Sequence, residues 1–579
     1  MREFVRCLVR VSICTAAVYA ATLPLAAQAP SGLNVRNATN KRIDLTWSGT
    51  SAGYTVQRRA LGGSYADVGS VSGAAFSDTN IDAYTTYQYQ VVANLNSGAS
   101  APSNQVTVGP PPAGFTTVAP APGPAGSDIN SNFAYNLSMT LDGNGDPAFA
   151  YVFYDPNADT DPADTRVEFW WWSRATYKWN GPARVAVTGG DTASRSPQTI
   201  SLGYDASTGV WGLATQTVAA GGSDVLALYT STDGATWTRK ATFAGGLVPS
   251  LAMAGGNLYL AYVVDHGGLK YVTGRLSADP ATWIVKGEVA SAGVGMADAS
   301  ATPALALDSA GNPAIAYWCE ASSGDYNAIL MYWRPAGAGA PVRVMDSQNN
   351  ASDQLDVRMV FHGLNPRVLV WVVRNDSDSD LGVHSARSDD GGATWNAPVL
   401  VPPDHSSSTD YPFDLAVDSQ GRGVAAFGRN GGSGDDACGY PKVSRTNDFV
   451  TWTTCDVVNS QQITGGYDVF PLGIQTTFGG NDKLWLMWSN QDTGIILYRE
   501  PPAATAAAPN IATVVNGATF QAGIVAGSWT TITGANLSGV TRPWADADFN
   551  NGNLLPTNLS GVQVKINNLD APVYYISPT

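Results

Sequence analysis

One unit repeats along the middle of the chain, and this repetition limits the possible folds more than any other feature. The unit is a short strand, a tight turn rich in Asp, Gly and Asn, and a second apolar strand. Seven copies lie at residues 141–151, 203–214, 251–262, 304–318, 359–371, 415–427 and 473–488. Repeats of this kind bury their apolar faces only by stacking on their neighbours, so the segment predicts one continuous repeat architecture.

A complete copy can be read at residues 303–346. Its four short strands cover 304–307, 314–318, 329–333 and 342–345, and turn or loop residues separate them. Four antiparallel strands per copy, stacked radially, form a blade of a β-propeller. The copies favour seven blades, with six as the alternative. The last copy ends at Tyr498 without a fourth strand, and residues 116–118 could supply that strand and close the ring.

The turn between the third and fourth strands carries a motif. Residues 388–395 match the pattern S-x-D-x-G-x-T-W at every fixed position, shorter copies begin at Ser231 and Ser277, and a looser one covers 444–452. In such a turn the carboxylate accepts backbone N–H groups, Gly takes a positive φ and Trp packs between sheets. On these motifs residues 127–500 resemble the Asp-box (BNR, sialidase-like) propellers. The resemblance implies fold-forming turns on the face away from the active site.

Further modules are predicted on both sides of the propeller. Residues 30–109 alternate apolar and polar side chains in short runs, as sandwich strands do. They resemble a fibronectin type III domain, in which Trp47 would be the buried core tryptophan and Tyr87 the corner tyrosine. Residues 510–579 resemble the immunoglobulin-like (TIG-related) C-terminal module of large exported bacterial proteins. They end in mid-motif, which indicates a truncated chain.

Linkers rich in Pro and Ala separate these parts, at residues 110–126 and 501–509. The first of them also contains Gly and reads as a stiff connection. We therefore expect a multi-domain, all-β protein in which a β-propeller is flanked by immunoglobulin-like β-sandwiches.

The N-terminus predicts export. Residues 1–29 read as a signal peptide, because Arg2, Arg6 and Arg10 precede an apolar run that ends in a small-x-small pattern at residues 27–29. The apolar run is too short to span a bilayer stably, and no other window is long enough. We therefore expect an extracellular or cell-surface protein with no transmembrane segment.

The net charge argues against one class of partner, and the cysteine content predicts one disulfide. The net charge of −15 argues against nucleic acid, whose binding requires clustered Lys and Arg. In an oxidising compartment Cys438 and Cys455 are expected to form a disulfide, and the alternative is two buried free thiols. Cys319 stands alone, and no His or Cys spacing resembles a zinc site.

Acidic residues collect in the loops between the second and third strands. If the third-to-fourth turns point one way, these loops point to the opposite, substrate-facing rim. Alternating oxygens suit a hard cation, so a Ca²⁺ site is one interpretation, and solvated surface turns are the other. The candidate Ca²⁺ ligands are Asp155, Asp159, Asp161, Asp376, Asp378 and Asp380.

The same rim supplies candidate ligand-binding residues. They are charged residues in or beside the predicted second-to-third loops, namely Asp265, Glu320, Asp325, Arg374 and Arg429. The sequence favours a secreted modular protein whose propeller binds an extracellular glycan or polymer. The alternative is a glycoside hydrolase, sialidase-like or another exo-glycosidase, that uses rim carboxylates. Sialidase chemistry requires three arginines, and Arg195 is the third that could reach one rim. No catalytic residue, ligand identity or oligomeric state follows from the sequence.

Overall fold

The computed structural model forms two compact units, residues Met1–Glu500 and Pro501–Thr579. The residues that it describes are 29–119, 133–154, 165–185, 200–218, 224–264, 268–287, 303–322, 325–337, 339–346, 357–374, 379–401, 413–427, 442–453, 456–457, 473–490, 494–501, 509–538, 541–545, 548–549, 554–560, 562–567 and 569–577. In these ranges the regular structure is almost entirely strand, as the sequence predicts. No helix in the described part of the chain is long and apolar enough to cross a membrane.

The first part of the chain is a two-sheet sandwich, called here the N-terminal module. Its strands are β1 (Ser31–Ala38), β2 (Ile43–Ser48), β3 (Tyr54–Ala60), β4 (Ala66–Val71), β5 (Ala75–Asp78), β6 (Tyr87–Leu95), β7 (Gly98–Ala99) and β8 (Val106–Val108). One sheet has the order β1-β2-β5 and the other β4-β3-β6-β7, with β8 paired to β6. Alternating side chains of both sheets meet in one core, which includes Leu45, Trp47 and Val91. The hydroxyl of Tyr87 accepts the Asp82 N–H at 2.9 Å, and this bond fixes the corner before β6.

The middle of the chain is built from seven four-stranded antiparallel sheets, called here blades 1 to 7. Strand β9 (Gly114–Ala119) comes first in the chain. Blades 1 to 3 contain β10 (Phe133–Leu141), β11 (Pro147–Tyr154), β12 (Thr165–Ser173) and β13 (Lys178–Arg184); β14 (Ile200–Asp205), β15 (Val210–Val218), β16 (Asp224–Ser231) and β17 (Thr238–Ala244); and β18 (Gly246–Ala254), β19 (Asn257–Val264), β20 (Gly268–Arg275) and β21 (Ile284–Gly287). A 3-10 helix at Pro280–Thr282 precedes β21.

Blades 4 to 7 repeat the same order. They contain β22 (Ala304–Leu307), β23 (Pro313–Ser322), β24 (Asp325–Trp333) and β25 (Val342–Asp346); β26 (Val357–His362), β27 (Asn365–Arg374), β28 (Ser379–Arg387) and β29 (Val399–Leu400); β30 (Phe413–Val417), β31 (Gly423–Phe427), β32 (Lys442–Thr446) and β33 (Asp456–Val457); and β34 (Ile474–Phe478), β35 (Leu484–Asn490) and β36 (Gly494–Arg499). The fourth strand of blade 7 is β9.

The blades close into one ring. Each first strand contacts the first strand of the next blade, and β34 of blade 7 contacts β10 of blade 1. Strand β9 pairs antiparallel with β36, with Thr117 opposite Ile496, so a segment before blade 1 completes blade 7. The seven-bladed ring is confirmed over the six-bladed alternative, and so is its closure by residues 116–118. The linker predicted at residues 110–126 differs in one detail. Its residues Gly114–Ala119 form a propeller strand.

Blades stack through alternating apolar side chains. Between blades 1 and 2, Phe169 of β12 packs with Leu213 of β15 and with the indole of Trp211 at 5.3 Å. Short apolar residues such as Ala148 and Ala227 lie in the same cluster and let the sheets approach closely. Similar clusters join the other blades, so burial at these interfaces holds the ring together.

The serine–aspartate turn of blade 5 has the geometry that its sequence predicts. Asp390 accepts the backbone N–H of Thr394 at 2.8 Å and its hydroxyl at 2.6 Å, while the Ser388 hydroxyl accepts the N–H of Gly392 at 2.8 Å. Gly392 has φ +98°, which a residue with a Cβ rarely adopts. Trp395 packs edge to face on Tyr332 of blade 4 at 5.3 Å. The turn therefore closes a hairpin and also joins two blades.

Blades 2 and 6 contain the same turn with small changes. In blade 2 the carboxylate is Asp233, and Trp237 packs on Phe169 of blade 1 at 4.9 Å. In blade 6 the turn begins at Thr446 and not at Ser444, because Asp448 accepts the N–H groups of Val450 and Thr451. The looser motif of blade 6 thus has the spacing of blade 2, shifted by two residues from the predicted start.

The unit Pro501–Thr579 contains short hairpins. Its strands are β37 (Asn510–Asn516), β38 (Thr530–Ala535), β39 (Arg542–Pro543), β40 (Val564–Ile566), β41 (Leu569–Ala571) and β42 (Tyr575–Ile576). They pair as β37-β38, β39-β42 and β40-β41, in three two-stranded sheets. Leu559, Val573 and Ile576 form its small buried cluster.

Candidate functional site at the inner edge of the ring

The innermost strand of each blade has one edge that its own sheet leaves unpaired. Leu202, for example, is opposite Leu213 of β15 on one side and has no strand neighbour in its sheet on the other. Unpaired backbone groups at a sheet edge require other partners when they are buried. Here the partner is a side chain of the preceding blade, because the Ser138 hydroxyl accepts the Leu202 N–H at 3.0 Å.

This contact recurs around the ring at one position of the first strand. Ser201 accepts the N–H of Leu251 at 2.9 Å, and Ser250 accepts that of Leu305 at 3.0 Å. The remaining contacts of the same kind are Asp414 with the N–H of Thr476 at 2.6 Å, and Gln475 with the N–H of Met139 at 3.4 Å. We call these side chains the inner-edge ladder. It is polar, and its serines at positions 201 and 250 are only half-buried.

Blades 4 and 5 break the pattern. Ala304 occupies the ladder position of blade 4 and has no side-chain acceptor to offer. Arg358 occupies it in blade 5, where its Nε lies 3.6 Å from Oδ1 of Asp414 and its guanidinium lies 5.3 Å from the ring centre of Phe413. The Arg358 side chain is 24% exposed and that of Asp414 is 12% exposed, so the arginine is the more accessible member of the pair.

The electrostatics of Asp414 follow from its position. Burial raises the pKa of its carboxyl to about 6, although the Arg358 charge and the N–H groups of Thr476 and Leu415 act in the opposite direction. A carboxyl with this pKa is about half protonated near pH 6, so both its ionised and its protonated forms are populated near neutral pH. It can therefore accept hydrogen bonds when ionised and donate one when protonated.

The ladder lies about midway between the two ends of the ring, because Ser138 is the sixth of nine residues in β10 and Ser250 is the fifth of nine in β18. Neighbouring strands are antiparallel, so the second-to-third connections all lie at one end, the loop face, and the first-to-second and third-to-fourth turns lie at the other, the turn face. Asp414 is opposite Ala426, one residue before β31 ends at Phe427 on the loop face. Arg358 is opposite Leu369, on the half of β26 that begins at the loop face.

The turn face is built differently. The serine–aspartate turns lie there, and so does the contact with the N-terminal module. Arg174, which follows β12, donates to both carboxylate oxygens of Asp146, at 2.9 and 2.8 Å, and to the Ala83 carbonyl of the module at 2.6 Å. Both side chains of the pair are almost fully buried. This end of blade 1 is therefore covered.

The structure describes only part of the predicted rim. Glu320 and Asp325 lie in the hairpin of blade 4, where Glu320 is opposite Ala328 and Asp325 is opposite Ser322 at its loop-face end. Arg374 ends β27 and is opposite Ser379. These positions place the three backbones near the loop face, and the structure describes only the backbones of these residues.

The predicted Ca²⁺ ligands also stay untested. Asp380 lies in β28 opposite Val373, with only its backbone described. The other predicted residues lie outside the described residues, namely Asp265, Arg429, Arg195, Asp155, Asp159, Asp161, Asp376 and Asp378, together with Cys438 and Cys455. Within the described ranges no group of three or more His, Cys, Asp or Glu side chains is placed to hold a metal ion. Cys319 is buried and unbridged.

Sequence reasoning missed Arg358 and Asp414. Both lie at a polar position between two apolar ones, as in Val357-Arg358-Met359, and serines take that place in blades 1 to 3. Aligning the first strands of the seven copies would have isolated this position. The register between neighbouring blades decides which backbone N–H each side chain reaches, and that register is not readable from one strand.

Comparisons with known proteins give weak similarity. No family model matches the sequence. Among solved structures, the chain is similar to the fibronectin type III domain of human fibronectin type III domain containing protein 3, with 21% identity over 14% of this chain and 83% of that one and a TM-score of 0.13. It is similar to alpha-L-arabinanase of Penicillium chrysogenum complexed with arabinobiose, with 15% identity over 55% and 93% of the two chains and a TM-score of 0.36.

A third similar structure is a mutant of the Aleuria aurantia lectin in complex with alpha-methyl-L-fucoside. Its identity is 10% over 68% of this chain and 99% of that one, and its TM-score is 0.32. These scores describe similarity only. The assignment of the fold rests on the strand pairing of this chain.

Proposed function

We propose that the chain is an exported modular protein whose propeller binds an extracellular glycan or other polymer at the loop face. The observation that carries this proposal is the pair Arg358–Asp414 at the inner edge of the ring. The pair lies about midway along its strands, and the turn face holds closed hydrogen-bonded turns and the N-terminal module. Because the N-terminal module covers the turn face at blade 1, the proposed ligand enters from the loop face.

The chemistry of the inner edge suits hydroxyl-rich ligands. Arg358 carries N–H donors, the half-buried Ser201 and Ser250 carry hydroxyls, and the half-buried Gln475 carries an amide. Sugar hydroxyls both donate and accept hydrogen bonds, so a site with both kinds of group can orient them. The charged residues predicted on the second-to-third loops, such as Glu320 and Arg374, would extend this set outward.

Export rests on the N-terminal sequence. Residues 1–29 have the positive start, apolar run and small-x-small end of a signal peptide. A mature chain that begins near residue 30 in culture medium or at the cell surface would support this part of the proposal. An intact N-terminus in the cytosolic fraction would contradict it.

A glycoside hydrolase is the second candidate, and the proton affinity of Asp414 favours it. A carboxyl whose pKa is raised to about 6 can be protonated near neutral pH, as a general acid must be. Hydrolysis also requires a second carboxylate across the scissile bond, and the candidates for it are Glu320 and Asp325 at the loop-face end of blade 4.

One set of variants tests both candidates. The full chain is assayed on a glycan array and on a panel of fluorogenic glycosides, beside Arg358→Gln and the double variant Glu320→Gln with Asp325→Asn. The loss of a hydrogen bond from a charged donor should weaken binding about tenfold or more. Asp233→Asn is the control, because it changes a carboxylate of the turn face.

The outcomes separate the candidates. Binding that Arg358→Gln weakens and Asp233→Asn leaves unchanged, without turnover, supports the binding protein. Turnover that Glu320→Gln with Asp325→Asn abolishes supports the hydrolase. Neither binding nor turnover with any glycan, or equal loss in all three variants, contradicts both.

A further inference from the structure

The ring has two chain ends that must be held together. Blade 7 receives its fourth strand, β9, from the segment that precedes blade 1, so closure depends on a strand that the preceding chain delivers. Only residues 109–113 separate the last strand of the N-terminal module from β9. The position of the module and the position of the closing strand are therefore coupled by a short connection.

One loop of the N-terminal module contacts both blades at this junction. The Ala83 carbonyl accepts from Nη1 of Arg174 in blade 1 at 2.6 Å. The next carbonyl, that of Tyr84, accepts from Nη2 of Arg499 in blade 7. Residues 82–84, called here the bridging loop, thus join the first blade to the last. The two acceptors are consecutive backbone carbonyls, so the blades cannot separate without breaking one of these bonds.

The connection to β9 is fixed by the same arginine and by a tryptophan. Arg499 also donates Nη1 to the Pro111 carbonyl at 2.6 Å, and its guanidinium lies over Trp485 at 5.6 Å. The indole of Trp172 donates to the Gly109 carbonyl at 2.8 Å. Arg499 is 4% exposed and Trp172 is 6% exposed, so these bonds form away from water, where an unmade bond is costly.

The aromatic ring of Tyr84 seats the bridging loop. A Cβ on Gly480 would lie 2.2 Å from the Tyr84 hydroxyl, and one on Gly145 would lie 3.8 Å from it. The glycines belong to the first-to-second turns of blades 7 and 1, so this one side chain also lies across the junction. In the same turn of blade 1, Oδ1 of Asn144 accepts the backbone N–H of Asn40 of the module at 3.2 Å.

We propose that the N-terminal module is a second closure of the ring, in which the bridging loop ties blade 1 to blade 7 on the turn face and holds β9 against β36. A module of this sequence type reads as a spacer. Here its contacts with blades 1 and 7 make it part of the propeller.

The test is hydrogen–deuterium exchange of the full chain. In Arg499→Met the apolar stem can still pack on Trp485, while the donors to the module and to Pro111 are lost. Exchange of residues 114–119 and 494–499 should rise by about tenfold or more, the factor that corresponds to about 1.4 kcal/mol. The N-terminal module should also unfold on heating in a transition separate from that of the ring.

Arg334→Met is the matched control. Arg334 follows β24 in blade 4, as Arg174 follows β12, and it donates to Asp308 at 2.8 Å and to Gly391 and Leu364 carbonyls within the ring. Its loss should raise exchange locally and leave residues 114–119 protected. Equal protection of these residues in Arg499→Met and wild type would overturn the proposal, and so would an equal rise in both arginine variants.

A variant on the module side decides the matter if Arg499→Met does not fold. Tyr84→Ala removes the aromatic ring between Gly145 and Gly480 and changes no propeller residue. The proposal expects faster exchange of β9 in this variant too. A variant that loosens only residues 80–90, with β9 and β36 unchanged, would show that the module rests on the ring without closing it.

Discussion

Blades 5 and 1 stabilise the same end of the same topology by different chemistry. In blade 5 the Asp390 carboxylate accepts from residues within four positions of it, Ser388 and Thr394. In blade 1 the Asp146 carboxylate is held by Arg174, 28 positions away. The first arrangement closes one turn from local sequence. The second ties the first-to-second turn to the end of the third strand, and its arginine also bonds the N-terminal module.

The two arrangements shift carboxyl pKa values in opposite directions. Hydrogen bonds from Thr394 and Ser388 lower the pKa of Asp390 to about 2, since that group is solvated and burial opposes them only weakly. Burial raises the pKa of Asp146, and the Arg174 charge opposes this effect. A local turn can therefore stabilise an ionised carboxylate without removing it from water, whereas a long-range clamp buries the charge and depends on its partner.

Removing Arg174, the partner of Asp146 in blade 1, should have the largest effect on the free energy of unfolding. Arg174→Ala leaves the buried Asp146 carboxylate without its cation, and breaking a buried pair from one side typically costs about 3–5 kcal/mol. Denaturant unfolding of the full chain, compared with wild type, measures the loss. A loss below about 1 kcal/mol would mean that this clamp contributes no more than an exposed ion pair does.

Substitution of a glycine in the blade 5 turn should have the second largest effect on the free energy of unfolding. Gly392→Ala places a Cβ 2.1 Å from Cε1 of Tyr332 at φ +98°, so overpacking and backbone strain together should cost about 2–3 kcal/mol. Gly311→Ala is the matched control, because its φ of +80° is also unfavourable while no atom lies within 4 Å of the new Cβ. The control should lose about 1 kcal/mol. Equal losses at both glycines would show that Tyr332 moves aside freely.

Removing the Ser388 hydroxyl from the same turn should have a smaller effect on the free energy of unfolding. Ser388 is 1% exposed, accepts the Gly392 N–H and donates to Asp390 at 2.8 Å. Ser388→Ala removes both bonds and should cost about 1–2 kcal/mol, measured by denaturant unfolding. By the same measurement Ser419→Ala, in the first-to-second turn of blade 6, should lose less, because that hydroxyl is exposed where it bonds Asp482. A larger loss in the blade 6 variant would reverse this ranking.

The same distinction explains what the sequence could predict. The turn at residues 388–395 was identifiable because its bonds join residues four apart or fewer, and the closing strand at 116–118 because blade 7 lacked one. The clamp of Arg174 on Asp146 and the contact of Arg499 with Tyr84 join residues 28 and 415 positions apart, so only the folded register brings them together. Arg358 and Asp414 were missed for that reason, although their position is polar in every repeat except that of blade 4, where it is Ala304.

Titration of Asp414 should have the smallest effect on the free energy of unfolding. It tests whether the inner-edge ladder differs electrostatically from the local turns. Its folded pKa of about 6 exceeds the value of 3.8 expected for a free aspartate. The native state therefore binds a proton more tightly than the unfolded state, so this stabilisation is complete below about pH 4 and is lost as the pH rises through about 6. Between pH 7 and pH 5 the wild type should gain about 1 kcal/mol from this group alone.

Asp414→Asn should remove that gain, because the amide can still accept the Thr476 N–H and does not titrate. The measurement is the difference in unfolding free energy between variant and wild type at several pH values from 5 to 7, since burial also raises the pKa of Asp146 and its contribution cancels in that difference. The lowered pKa of Asp390 affects stability only as the pH falls toward about 2 and lies outside this window. A difference that is constant from pH 5 to 7 would mean that Arg358 keeps Asp414 ionised throughout, and that the ladder behaves electrostatically like the local turns.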